Sequence, residues 1–112
     1  MKLDDLKEEH LVEVVRLYEE HCGFGRDFKR VMFQQPETVL QYLKEEGKQE
    51  YRVGSKWDGH SKIYFETDPE DNMVVRFNSN FDPQDRKGRR YMAAEKAGDE
   101  FVESAMQYLS HQ

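Results

Sequence analysis

Cysteine is almost absent: Cys22 is the 1 cysteine in 112 residues, which excludes an internal disulfide framework and points to a reducing compartment, the cytoplasm. Proline (3) and glycine (7) are too sparse for a long linker, and no repeat or low-complexity tract interrupts the chain. No apolar run approaches the ~20 residues of a membrane span. The opening 25 residues are charged throughout, unlike a secretory signal. Glycine-rich phosphate loops, a nucleophile elbow and a dinucleotide fingerprint are all missing. His21 and Cys22 have no partners at zinc spacing, and the acidic run Glu66, Asp68, Glu70, Asp71 lacks the glycine of a calcium loop and reads as a solvated turn. The sequence therefore implies no catalytic residue, cofactor or metal, and an enzyme is the least supported class.

What is present is 37% hydrophobic and 36% charged residues, with a mean hydropathy of −1.01. Disorder is excluded by 7 Phe, 6 Tyr and 1 Trp, because disordered chains are poor in aromatics. A chain of this size buries roughly two-thirds of its unfolded surface, enough for one domain over residues 1–112. The charge is acidic, 17 Lys and Arg against 23 Asp and Glu, a formal −6.

Periodicity divides the chain in two. From about Asp4 to Cys22, the residues Leu3, Leu6, Leu11, Val14, Val15, Tyr18 and Cys22 recur at helical steps. Asp5 and Glu8 have capping-box spacing, and Gly23 suits the residue after a helix end. A short helix is expected over 27–34 and another over 36–46, opened by Pro36 and stopped by Gly47. The period then changes to two. Tyr51, Val53, Ser55 and Trp57 alternate with polar residues as a strand, followed by Asp58-Gly59, a two-residue hairpin signal. Ile63 and Phe65 mark a second strand, Asp68 to Asn72 a turn, and Met73, Val75 and Phe77 a third strand. A long helix is expected from about Gly88 to Ser110, burying Ala94, Ala97, Phe101, Ala105 and Tyr108. The expected fold is α+β in the order α-α-α-β-β-β-α: a three-stranded antiparallel sheet with helices mainly on one face.

Charge segregates along this order. Arg86-Lys87-Gly88-Arg89-Arg90 packs four cations into five residues at the start of the last helix. Cations there oppose the helix dipole by roughly 0.3–1 kcal/mol each, whereas phosphate is favoured. Arg26, Lys29 and Arg30 form a second cluster, and Arg52, Lys56, Lys62 and Arg76 are expected on the outer sheet face around Tyr64. Lysines on such a face also discourage edge pairing. The opposite sign collects on the first helix, at Glu9, Glu13, Glu19 and Glu20, joined by Asp99, Glu100 and Glu103 of the last.

Residues 36–112, with the helix Pro36-Glu37-Thr38-Val39-Leu40-Gln41-Tyr42-Leu43, the loop Asp58-Gly59-His60 and the run Arg86-Lys87-Gly88-Arg89-Arg90-Tyr91-Met92-Ala93-Ala94, resemble the double-stranded-RNA-binding domain. The resemblance implies that Arg86, Lys87 and Arg90 touch phosphates across the major groove while His60 approaches the minor groove. Arg89 stands at the family's alanine position, and Asp82 to Asp85 replaces its glycine-rich stretch. Gly59-His60 followed by a strand is also similar to HicA-type mRNA interferases, where the histidine is catalytic. Two readings follow. One is an RNA-binding domain using Arg86, Lys87, Arg89, Arg90 and His60. The other is an acidic protein-binding module, such as an inhibitor, immunity or antitoxin-like protein, that meets a basic partner through Glu9, Glu13, Glu19 and Glu20. Neither involves a membrane.

Overall fold

A computed structural model describes residues 1–23, 36–53, 56–57, 61–78 and 88–112. After a 3-10 turn over Leu3–Asp5 come α1 (Glu8–Cys22), α2 (Pro36–Glu46), β1 (Gln49–Val53), β2 (Ser61–Thr67), β3 (Met73–Asn78) and α3 (Arg89–Ser110). The class is α+β, as the change of period predicts. The short helix expected over 27–34 lies outside the described residues.

The apolar face of α1 is the one its spacing predicts: Leu11, Val14, Val15, Tyr18 and Cys22 are all buried. Its start differs from the Asp5–Glu8 cap. The chain first turns as a 3-10 helix, which sends Leu6 into the core, and α1 begins only at Glu8. There the His10 backbone N–H donates to the Lys7 carbonyl (3.1 Å), while the Lys7 N–H donates to His10 Nδ1 (2.9 Å). His10 thus does what a glutamate three residues into a helix usually does. Its ring is buried, edge-on to Tyr108 with centroids 6.2 Å apart. Burial pushes its imidazole below the usual histidine range.

The sheet has the order β1-β2-β3 and is antiparallel throughout. Ile63 and Phe65 of β2 and Met73 and Val75 of β3 are buried beneath the helices, while Lys62, Tyr64, Glu66 and Arg76 alternate with them on the other face. Val53 pairs with Ser61 and β1 ends there, earlier than the alternation suggests; the Asp58-Gly59 hairpin turn lies outside the described residues. Trp57 and Lys56 are consequently not strand residues. The Lys56 N–H donates to the Cys22 carbonyl at the end of α1 (3.0 Å) rather than to a neighbouring strand.

Helix α3 packs on both β3 and α1. It runs antiparallel to α1, with Tyr108 beside His10 and Phe101 against Tyr18 (5.3 Å, near-perpendicular rings). At its middle, Gly98 lets the helix lie directly on Phe77: a Cβ there would fall 2.1 Å from the ring. The β2–β3 turn is tied by Asp68, which accepts from the amides of Glu70 (2.9 Å) and Asn72 (2.8 Å), and it admits Asp71 at φ 64°. Those hydrogen bonds hold the Asp68 carboxyl below the usual carboxylate range. The outer edge of β3 is occupied from both ends of the chain. The Met73 N–H donates to the Met1 carbonyl (2.8 Å), and the Val75 N–H to Met106 Sδ (3.3 Å).

Two outcomes follow from this packing. Gly98→Ala lowers stability by about 1–3 kcal/mol through overpacking, despite the ~1 kcal/mol that alanine gains in helix propensity. In a Phe77→Leu background the loss shrinks, measured by urea denaturation as a double-mutant cycle. His10→Ala costs about 1–2 kcal/mol near pH 7.5. The sign of the pH dependence is set by the depressed folded-state value. The unfolded chain binds the proton more readily, so the His10 contribution is complete above pH 6.5 and is lost as the pH falls through 6.5 toward the depressed value. The stability gap between the protein and His10→Gln, which keeps an acceptor, therefore narrows on acidification between pH 7 and 5.

Candidate functional site

The last helix opens without a side-chain cap: Gly88 precedes it in an extended conformation and its first turn holds no acidic residue. Arg89 and Arg90 occupy that turn and are exposed. The Arg90 guanidinium (Nη2) donates to the backbone carbonyl of Trp57, in the segment that follows β1. Trp57 is half-buried against the core, and Lys56 beside it is exposed. The Lys56 side chain lies across Gly23, where φ of 71° and the lack of a Cβ leave room: a side chain there would meet Lys56 Cγ at 2.8 Å. The end of α1, the segment after β1 and the start of α3 therefore meet at one corner that carries Lys56, Arg89 and Arg90 around an aromatic residue. Cations interleaved with aromatics are the composition by which proteins hold nucleic-acid backbones and bases.

Of the five residues expected to contact RNA, Arg89 and Arg90 sit at this corner, while His60, Arg86 and Lys87 lie outside the described residues. In sequence, Arg86 and Lys87 precede the corner by two or three residues, and His60 follows Trp57 by three. Arg26, Lys29 and Arg30 also lie outside. The periodicity placed Lys56 on the sheet, so its membership of the corner escaped a reading in which the strand continued to Trp57.

The outer sheet face is not a basic surface at the positions described. Lys62 Nζ pairs with Glu50 at 2.8 Å, and Arg76 forms a two-pronged pair with Glu66 at 3.0 and 2.6 Å while its guanidinium lies 5.0 Å from the Tyr64 ring centre. Arg76 holds the Glu66 carboxyl below the usual glutamate range. The Arg52 side chain lies outside the described residues. A depression of about 410 Å³ lined by Lys48, Gln49, Glu50, Tyr64 and Glu66 occupies this face, floored by already paired charges.

The acidic residues gather along α1 and α3. Glu9 and Glu20 are exposed, Glu13 bonds Arg16 (Nε to Oε2, 2.9 Å) and Glu19 is half-buried. Burial, and then the charges of Glu13 and Glu9, push the Tyr108 phenol above the usual tyrosine range. At the other end of the helix pair, His21 Nε2 is 3.0 Å from Ser104 Oγ, and Glu100 lies 3.9 Å from His21 Nδ1. Among the described residues, no three His, Cys, Asp or Glu side chains come together as metal ligands, and no helix is long and apolar enough to cross a membrane. Compared with protein-family models, with curated proteins and with solved structures, the chain matches none.

Proposed function

We propose that the chain binds RNA through the basic corner at the start of α3, with Arg89 and Arg90 there, Arg86 and Lys87 just before it and His60 in the adjoining connection. The observation that carries this reading is the contact between Arg90 and Trp57. It ties together the two separate segments to which all five residues belong or adjoin. The paired charges of the outer sheet face support the same choice, since Lys62 and Arg76 there are already engaged by Glu50 and Glu66. The buried thiol of Cys22 suits the reducing cytoplasm in which such a domain would act.

In a titration of a labelled RNA duplex of about 16 base pairs, the length a domain of the resembled family spans, affinity falls steeply as salt rises, because bound cations displace condensed counterions. The triple variant Arg86→Ala, Lys87→Ala, Arg89→Ala binds at least tenfold more weakly. Lys62→Ala changes little, its charge being engaged by Glu50. Absence of binding at low salt removes the reading.

A second reading is supported by the antiparallel packing of α1 on α3, which sets His10 beside Tyr108 and His21 beside Glu100 and lines both helices with carboxylates. Here the helix pair meets a basic protein partner, and opposite charge speeds encounter. With a lysine-rich peptide as probe, amide NMR shifts then concentrate on α1 and α3 and disappear in Glu9→Lys, Glu20→Lys. Shifts spread evenly over the surface count against it.

A further inference from the structure

We propose that Met106 is a modification site: a hydroperoxide converts its thioether to the sulfoxide, and the change releases the outer edge of β3 from the C-terminal half of α3. The inference is independent of both binding readings.

A methionine on the inner side of a helix ordinarily contributes bulk. Met106 does more, because its Sδ accepts the backbone N–H of Val75 at 3.3 Å, from 31 residues away in sequence. Val75 is 1% exposed, so this amide faces sulfur in a dry setting. Thioether sulfur is a weak acceptor, and the electron pairs that accept a hydrogen bond are those that a peroxide oxidises. Met106 is also within reach of such a reagent. It is half-buried and lines a depression of about 450 Å³ rimmed by the exposed Glu103, Gln107 and Ser110. The other described sulfurs differ. Cys22 and Met73 are buried, and Met92 is 65% exposed near the start of α3. Met1 lines the same depression, but it holds β3 through its carbonyl. Met106 combines access with a sulfur bond to the sheet.

The step is a two-electron oxygen transfer. A sulfur electron pair attacks the distal oxygen of the hydroperoxide, and the S–O bond forms as the O–O bond breaks. The proton on the transferred oxygen passes to the departing one, which leaves as water or an alcohol. Sulfur is oxidised and the peroxide reduced. An oxygen added on the side of the amide does not fit within 3.3 Å of it unless α3 moves, and one added elsewhere sets a dipole against the apolar core around Met106.

Peptide mapping after hydrogen peroxide treatment of the folded chain locates the added oxygen, and amide hydrogen exchange by NMR follows Val75. Met92 gains oxygen first and leaves Val75 unchanged. Addition at Met106 speeds Val75 exchange about tenfold or more. Methionine sulfoxide reductases restore the protection. Met106→Leu keeps the bulk without the acceptor, so Val75 exchanges faster from the outset and peroxide adds nothing. Met92→Leu responds as the parent does. If Met106→Leu does not fold, the parent before oxidation, after it and after reduction supplies the same comparison. Three results overturn the proposal: Met106 unmodified once Met92 is fully converted, Val75 exchange unmoved by the Met106 sulfoxide, or a peroxide response that persists in Met106→Leu.

Discussion

The close seating of α3 on β3 through Gly98 and Phe77 is the contact on which the arrangement depends. A glycine in the middle of a 22-residue helix forfeits helix propensity, and it does so here to admit an aromatic ring from the sheet. Phe77 in turn lies 6.3 Å from Tyr18, which meets Phe101 edge-on, so sheet, last helix and first helix are joined through one aromatic group. That seating sets the height and rotation of α3. It therefore decides which residues of its first turn reach the segment after β1, and which of its later residues run beside α1.

From this placement comes a separation of charge by element. One corner of the molecule, where three chain segments converge, carries Lys56, Arg89 and Arg90. The long sides of α1 and α3 carry the glutamates. The sheet's outer face lies between these in character: its lysine and arginine are cross-paired with glutamates on adjacent strands, which stabilises the pleat and leaves little field to steer a charged ligand. A protein of formal charge −6 can thus still offer a small region suited to an anion, because net charge is a sum over surfaces that a partner meets one at a time.

Much of the fold was legible in the residues. The apolar spacing of α1, the inward positions of β2 and β3 and the extent of α3 all follow from period alone, since each strand has one buried face and each helix one apolar stripe. What period does not encode is where a long-range partner intervenes. Lys56 leaves the strand path with its amide on the Cys22 carbonyl, and the start of α1 is set by His10 turning back to the Lys7 amide. Gly98 carried a local signal, a glycine amid good helix formers, but its meaning required Phe77 to be placed. At the site, the cationic run was visible and so was its position at a helix start. The contributions of Lys56 and Trp57 were hidden, because alternation assigned them to a strand.

The occupied edge of β3 has a consequence for how the molecule assembles. Its outward amides find acceptors in Met1 and Met106, from opposite extremes of the sequence. The margin of β3 is thus completed by the N-terminal segment and the C-terminal half of α3, two long-range contacts added to a sheet of sequence-adjacent strands. Shortening the chain at either extreme strikes the same strand. The completed margin, once roofed in this way, also denies a stray polypeptide the template along which strand-upon-strand aggregation would begin.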